Sequence, residues 1–128
     1  MSVTKTDAPN RLVLVVDDNL ELREVLESIL QANSYQAMLA TNGVEALALL
    51  RGAQKLPCVI LLDLMMPVMD GRQFCVEQQR DPRLSAIPVV ILTADGHADD
   101  KAATLGVAGY LAKPVDMDAL LSTVGAYG

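Results

Sequence analysis

The fold of this chain is decided by the stretch Arg11-Leu12-Val13-Leu14-Val15-Val16-Asp17-Asp18. Its apolar core has no polar alternation, which is typical of a central strand in a parallel sheet that is covered on both faces. From Leu20 onward the apolar residues change to helical spacing, at positions 22, 25, 26, 29 and 30. The stretch therefore predicts a strand–helix unit with two adjacent carboxylates where the strand ends.

Four further strand–helix units follow the first one. The predicted strands cover 35–40, 58–63, 88–92 and 109–112, and the predicted helices cover 44–52, a segment through Phe74 and Cys75, 98–105 and 117–124. Turn and capping residues separate them, such as Asn33-Ser34, Asp81-Pro82 and Asp116. Five strands alternating with five helices predict an α/β domain whose parallel sheet has helices on both faces.

Composition restricts the class of protein. The chain has 128 residues, of which 52% are hydrophobic and 20% charged, so we expect one globular domain preceded by a flexible polar arm at 1–10. No apolar run is long enough to cross a bilayer and no secretory pattern is present, so we expect a cytoplasmic protein without membrane insertion. The formal charge of −6 disfavours direct binding of nucleic acid. Cys58 and Cys75 lie in apolar segments and are predicted to be small core residues.

Polar side chains follow four of the predicted strands at the point where each strand ends: Asp17 and Asp18, Asp63, Thr93, and Lys113. Because the carboxyl ends of parallel strands share one edge of a sheet, these side chains are expected to lie close together. Carboxylates are the hard ligands that suit Mg²⁺. A lysine and a hydroxyl beside them suit a phosphoryl group, so this edge is predicted to bind a divalent cation and a phosphoryl group.

Each of these residues also has a purely structural interpretation. Asp18 with Glu21 looks like a variant capping box, and Asp63 alone would be an ordinary loop acid. Lys113 would serve in a structural ion pair, and Thr93 is a common type of strand residue. The convergence of all of them on one edge favours the functional interpretation.

The ordered set of motifs resembles the receiver domain of two-component response regulators. The matching segments are Asp17-Asp18, Asp63-Leu-Met-Met-Pro-Val-Met-Asp70-Gly71, Thr93-Ala94 and Lys113-Pro114. The resemblance covers residues 11–124, with 125–128 as a short tail. It implies a flavodoxin-like doubly wound (βα)5 fold whose five parallel strands have the order 2-1-3-4-5, an order for which a receiver is itself a known example.

The resemblance also implies roles at the site. Asp63 would be the phosphoacceptor, taking the group from a histidine kinase or a histidine phosphotransfer protein. Asp17, Asp18 and Asp63 would bind Mg²⁺ together with the main-chain carbonyl of Met65. Lys113 would pair with the phosphoryl group.

Four side chains would govern the switch and its lifetime. Thr93 would move to bond the phosphoryl group, and Tyr110 would be the switch aromatic, altering how a downstream protein binds the surface of the fourth helix, fifth strand and last helix. Tyr110 also fits an ordinary strand aromatic. The Met65 side chain and Asp95 would tune hydrolysis, and His97 receives no role.

The function expected is a phosphorylation-activated signalling switch that catalyses only its own phosphorylation and dephosphorylation. One alternative is a phosphatase with an aspartyl nucleophile, of the haloacid dehalogenase type. Such enzymes need a second acid two residues after the nucleophile, where this chain has Met65. The other alternative is a degenerate receiver that is no longer phosphorylated. A stand-alone regulator and a receiver from a larger protein both fit the sequence.

Overall fold

A computed structural model describes residues 10–94 and 98–127. The strands are β1 (Leu12–Val16), β2 (Gln36–Ala40), β3 (Val59–Asp63), β4 (Val89–Thr93) and β5 (Gly109–Ala112), and the helices are α1 (Leu20–Ala32), α2 (Gly43–Gly52), α3 (Gly71–Arg80), α4 (Ala98–Leu105) and α5 (Met117–Gly125). Residues 1–9, Asp95 and His97 lie outside the described residues.

The five strands form one parallel sheet in the order β2-β1-β3-β4-β5, which confirms the predicted topology. β3 and β4 are buried along their whole length, as their uninterrupted apolar sequences predict for strands inside a parallel sheet. All five strands therefore end at the same edge, where the predicted polar residues follow.

The two faces of the sheet carry separate apolar cores. In β1, Leu14 and Val16 pack with residues of α2 and α3, whereas Val13 and Val15 pack with residues of α1 and α5. This division follows from the alternation of side chains along a strand. A smaller cluster of Leu64, Ile91 and Ala102 lies beneath α4. The sheet is thus a rigid platform that fixes the positions of its strand ends.

The predicted cap of α5 is present, and α1 is capped by a residue that was not predicted from the sequence. Asp116 caps α5, accepting from the N–H of Ala119 at 2.9 Å. In α1 the cap is Asn19, whose Oδ1 accepts from the N–H of Leu22 at 2.9 Å. The structural alternative for Asp18, a capping box with Glu21, is therefore not present, because the cap lies one residue later at Asn19. The carboxylate of Asp18 is left exposed at the edge of the sheet.

Several apolar residues of the predicted helices are exposed. Val25 belongs to the predicted apolar stripe of the first helix, and Val44 and Met117 begin two other predicted helices, yet about half of each residue is exposed to solvent. The apolar surface of these helices is wider than the part that touches the sheet. Met65, in the loop after β3, is 79% exposed. These residues place apolar surface around the carboxyl edge of the sheet rather than inside it.

The cysteines differ from one another in burial. Cys75 on α3 is buried, and burial raises the pKa of its thiol to about 11. Cys58, just before β3, is only half-buried, so the prediction of a core residue holds fully for Cys75 alone. Among the described residues, no helix has the length and apolar character needed to span a bilayer.

Candidate functional site

Three carboxylates meet at the carboxyl edge of the sheet. Asp17 and Asp18 follow β1, and Asp63 is the last residue of β3, the neighbouring strand. One carboxylate oxygen from each of the three lies within 4.8 Å of the others. Asp17 and Asp63 are buried whereas Asp18 is exposed, so the cluster has a closed floor and an open rim.

Asp17 is fixed by contacts in four directions. Its N–H donates to Ala40 O at 3.1 Å, which continues the β1–β2 ladder by one residue. Its Oδ1 accepts from the N–H of Asn19 at 2.8 Å, and its main-chain O accepts from Nη1 of Arg23 at 2.7 Å. Its Oδ2 lies 2.9 Å from Lys113 Nζ. A fully buried carboxylate is stabilised in this way by a cation and by backbone donors.

Lys113 supplies the positive charge of the site. Its N–H donates to Thr93 O at 2.9 Å, so the residue directly after β5 is still held against β4. Its Nζ lies 3.4 Å from Asp63 Oδ1 in addition to its contact with Asp17. The peptide bond from Lys113 to Pro114 is cis. Burial lowers the pKa of Lys113, but the bonds and charges of Asp17 and Asp63 outweigh burial and raise it, so the ammonium is charged at neutral pH.

The negative charge of Asp63 is compensated less completely than that of Asp17. Burial raises the pKa of its carboxyl; the N–H of Met65, 3.2 Å from Oδ1, lowers it, the charge of Asp17 raises it and Lys113 lowers it, with a net rise. Among the described residues, the ammonium of Lys113 is the one cation paired with the cluster, and it reaches two of the three carboxylates. The physical consequence is a site with excess negative charge, which an added cation relieves.

The loop from β3 to α3 follows Asp63 closely. Gly71 donates its N–H to Leu64 O at 3.1 Å, and a Cβ on Gly71 would lie 2.7 Å from Asp63 O. Only glycine therefore permits the start of α3 to approach the end of β3 so closely. In the middle of the loop Val68 has φ 69° and lies in a γ-turn closed by a bond of 2.8 Å from Met69 N–H to Pro67 O. The side chain of Val68 is exposed.

Thr93 and Tyr110 lie on adjacent strands. Thr93 ends β4 and is buried, one residue beyond Leu92, which pairs with Asp63. Tyr110 pairs with Ile91 on β4 and is 42% exposed. Since alternate residues of a strand share a face, Tyr110 and Thr93 lie on the same face of the sheet. Asp95, predicted to tune hydrolysis, lies outside the described residues.

Two residues that hold Asp17 were not predicted from the sequence. Asn19 provides both the helix cap and the N–H that binds Asp17 Oδ1, and Arg23 reaches back to Asp17 O. The signal for Asn19 was present, since asparagine is among the preferred N-cap residues. Arg23 had no distinctive signal, because a charged residue off an apolar stripe is the ordinary composition of a helix surface.

The residues of this edge fit a magnesium ion. Their donors are hard carboxylate oxygens in a compact cluster, and Mg²⁺ prefers such ligands while retaining several waters. The main-chain carbonyl of Met65 follows Asp63 in the loop, and within the described parts of the chain no hydrogen bond reaches that carbonyl. Charge, ligand type and open rim therefore agree with the predicted metal.

A 2-1-3-4-5 sheet whose carboxyl edge carries this acidic cluster and its lysine defines a class of signalling domain. Residues 13–125 match the response regulator receiver domain, and the chain belongs to that family. Receiver domains are the switches of two-component signalling, and phosphorylation and Mg²⁺ are typical of them.

Individual relatives come from several bacterial systems. The protein PilH of Pseudomonas aeruginosa is 37% identical over 116 residues, which cover 89% of this chain and 94% of PilH. The response regulator PleD of Caulobacter vibrioides is 42% identical over 106 residues, but these cover 81% of this chain and only 23% of PleD. The chain thus corresponds to nearly all of one relative and to a minor part of another.

Solved structures show the same architecture. The chemotaxis response regulator CheY4 of Vibrio cholerae has a TM-score of 0.83 and 30% identity, covering 93% of this chain and 99% of its own. The receiver domain of the sensor histidine kinase PA1611 from Pseudomonas aeruginosa has a TM-score of 0.82 and 26% identity, with 92% and 97% covered. That structure contains a magnesium ion coordinated in the active site cleft.

Proposed function

We propose that this receiver accepts a phosphoryl group from a phosphohistidine onto Asp63 in a Mg²⁺-dependent reaction and thereby changes its binding to a downstream protein. The donor is a histidine kinase or a histidine phosphotransfer protein. The observation that carries the proposal is the carboxylate of Asp63 beside two further carboxylates and the ammonium of Lys113. The likeness to receivers supports it, because phosphorylation and Mg²⁺ are typical of that family.

The transfer needs a nucleophile and a stabilised charge. An oxygen of Asp63 forms a bond to phosphorus while the P–N bond of the phosphohistidine breaks, and the imidazole leaves with the electron pair and takes up a proton. Lys113 Nζ, 3.4 Å from Asp63 Oδ1, pairs with the phosphoryl oxygens. The hydroxyl of Thr93 then binds another of these oxygens. Positioning and charge neutralisation account for most of such catalysis.

Asp17, Asp18, Asp63 and the main-chain carbonyl of Met65 are proposed to hold the metal. Bound there, Mg²⁺ neutralises charge on the phosphoryl oxygens and relieves the repulsion among the carboxylates. Burial and the charge of Asp17 raise the pKa of Asp63. The ionised carboxylate is therefore not fully compensated within the protein, and a bound cation would stabilise it, which supports this assignment.

The donor protein is proposed to bind an apolar groove next to the site. This groove, of about 370 Å³, lies between α1 and the segment after β5, and its apolar walls include Leu22, Val25, Pro114 and Val115. Lys113 also lines it, so the groove opens directly beside the phosphoryl site. An apolar surface next to a buried nucleophile suits a partner that must deliver a group into that site.

The output is proposed to pass through Thr93 and Tyr110. Movement of Thr93 toward the phosphoryl group leaves space on the face that it shares with Tyr110. Tyr110, 42% exposed, moves into that space and alters the surface made by α4, β5 and α5. The Met65 side chain and Asp95 are proposed to tune hydrolysis; Met65 has no strong hydrogen-bonding group to orient water, so slow hydrolysis is expected.

Phosphoryl transfer tests the proposal directly. Purified protein is incubated with Mg²⁺ and either acetyl phosphate or a labelled phosphohistidine protein, and the modified residue is mapped by mass spectrometry. Label is expected on Asp63, with none stable in Asp63→Asn or in EDTA. Asp118→Asn makes the same change at an exposed position on α5 and serves as the matched control. Full labelling of Asp63→Asn at another residue would overturn the proposal.

Assays with added phosphoester substrates distinguish a signalling switch from a phosphatase that acts on other molecules. Turnover of added phosphoesters by the wild type would support the phosphatase alternative. The absence of both labelling and Mg²⁺ binding would support a degenerate receiver.

A further inference from the structure

Arg23 on α1 makes an unusual choice of partner. Its Nη1 donates to the main-chain O of Asp17 at 2.7 Å, which ties the helix back to the end of the strand that precedes it. α1 also carries Glu21, Glu24 and Glu27, yet among the described residues no carboxylate lies within 4.0 Å of the Arg23 guanidinium. The side chain therefore holds a neutral carbonyl rather than an opposite charge.

That carbonyl belongs to the peptide group between Asp17 and Asp18. The side chain of Asp17 is already fixed by Asn19 and Lys113, but the carboxylate of Asp18 makes no hydrogen bond or ion pair within residues 10–94 and 98–127. The direction of Asp18 is thus set by the backbone that leads to it. The bond from Arg23 fixes the plane of that peptide, and with it the direction in which Asp18 leaves β1.

We propose that Arg23 is a positioning residue for the metal site: it holds the Asp17–Asp18 peptide so that both carboxylates face one ion. The inference rests on the proposed function, since it concerns the same site. Residues that orient metal ligands without touching the metal typically contribute about 10- to 100-fold in metal affinity.

The charge of Arg23 predicts the opposite effect from its geometry. A guanidinium near a cluster of carboxylates repels an incoming cation, so charge alone predicts that its removal tightens Mg²⁺ binding, about twofold. Loss of the bond to Asp17 O instead weakens binding. The sign of the change in Mg²⁺ affinity therefore distinguishes a positioning residue from a merely charged one.

The test is a Mg²⁺ titration at constant ionic strength, followed by the backbone amide NMR signals of Asn19 and Met65. The variant Arg23→Met removes charge and bond, whereas Arg23→Lys keeps the charge and a terminal N–H donor on a side chain only slightly shorter. Arg80→Met removes the same charge at the far end of α3, where the side chain is mostly exposed, and is the matched control. Thermal unfolding in EDTA reports whether each variant folds.

Mg²⁺ affinity is expected to fall about tenfold in Arg23→Met, to recover to within about threefold of the wild type in Arg23→Lys, and to stay unchanged in Arg80→Met. Wild-type or tighter Mg²⁺ binding in Arg23→Met overturns this inference but leaves the proposed function intact. A failure of Arg23→Lys to recover Mg²⁺ affinity has the same consequence. If the wild type itself binds no Mg²⁺, the proposed function fails as well. Should Arg23→Met not fold, Arg23→Gln, which is too short to reach the carbonyl, replaces it.

Discussion

Lys113 Nζ lies 2.9 Å from Oδ2 of Asp17, although the two residues follow strands at different places in the sheet. In the order β2-β1-β3-β4-β5, the strands β3 and β4 separate β1 from β5. The backbones of β1 and β5 are therefore about 14 Å apart, at a spacing of about 4.8 Å per strand. A long side chain is needed to cross that distance over Asp63. The ion pair thus couples the outer part of the sheet to the acidic cluster.

Replacing Lys113 by Met is expected to destabilise the metal-free protein by about 2 kcal/mol, because two buried carboxylates lose their cation. Urea unfolding in EDTA measures the loss, and Mg²⁺ should restore part of it. Lys55→Met, which removes an exposed lysine, is the control and should change stability little. Equal stability of Lys113→Met and the wild type would contradict a stabilising ion pair.

The pH dependence of this ion pair has a definite sign. Burial lowers the pKa of Lys113, but Asp17 and Asp63 raise it by a larger amount, so the pKa in the folded state lies above that in the unfolded state. The stability that the pair contributes is therefore fully present below the ordinary lysine pKa of about 10.4 and is lost as the pH rises through the folded value. On the alkaline side of neutrality, the difference between wild type and Lys113→Met should thus shrink only in strongly alkaline solution, and it should also shrink in acid, where the partner carboxylates become protonated.

Asp63→Asn should stabilise the metal-free protein even though it is expected to abolish phosphorylation. Burial, together with the charge of Asp17, raises the pKa of Asp63, so its charged form is unfavourable in the folded state. We expect Tm in EDTA at pH 7 to rise by about 4 °C, the effect of about 1 kcal/mol in a domain of this size.

Two conditions should remove that gain. For an acid with a raised folded pKa, the penalty is complete above the folded pKa and vanishes below the unfolded pKa near 4, so the Tm of both proteins should converge on acidification. Saturating Mg²⁺ should also stabilise the wild type more than the variant. A lower Tm of Asp63→Asn in EDTA at pH 7 would show that the carboxylate is stabilising.

The parallel sheet and the shared edge were predictable from the sequence because both follow from strong, local patterns, whereas the order of the strands came from the resemblance to receiver domains. Uninterrupted apolar strands fix a parallel sheet, and a parallel sheet fixes where Asp63 and Lys113 emerge. Asn19 and Arg23 were missed because their roles depend on where α1 begins to the residue, which apolar periodicity does not resolve. The exposure of Val25 was missed for a related reason, since periodicity identifies a helix face but not the width that a sheet covers.

Phosphorylation should bury Tyr110, which is 42% exposed in this structure. Contact with a soluble paramagnetic probe is measured by NMR on tyrosine-labelled protein, which has only three tyrosines. The Tyr110 signals should lose probe contact after treatment with acetyl phosphate and Mg²⁺, whereas the half-buried Tyr35 and Tyr127 are internal controls. Tyr110→Ala should still be labelled on Asp63 but lose state-dependent partner binding. Unchanged exposure of Tyr110 in the labelled protein would refute the switch.

Gly71→Ala should damage both stability and phosphorylation. The added Cβ would lie 2.7 Å from Asp63 O and 2.8 Å from Leu64 Cα, so backbone must move at the end of β3. We expect a loss of about 2 kcal/mol and slower labelling of Asp63. Gly52→Ala is a matched control, because nothing lies within 4 Å of its Cβ position, and it should be neutral or stabilising by up to about 1 kcal/mol. Equal effects of the two variants would mean that the approach of α3 to Asp63 is not restrictive.

Val68→Asn should stabilise the protein by about 1 kcal/mol. Val68 is a β-branched residue at φ 69°, a conformation that asparagine adopts at lower cost. Val76→Asn, on the exposed side of α3, is the control and should be near neutral because valine and asparagine have similar helix propensities.

The same variant tests why a strained valine is present at this position. Val68 and Met65 place two exposed apolar side chains on the loop that follows Asp63. If Val68 contacts the donor protein, Val68→Asn should slow labelling by a phosphohistidine protein severalfold while leaving labelling by acetyl phosphate unchanged, because the small donor makes no contact with the loop. Equal slowing with both donors would assign Val68 to the geometry of the loop instead. Unchanged rates with both donors would leave the strain without a role in phosphoryl transfer.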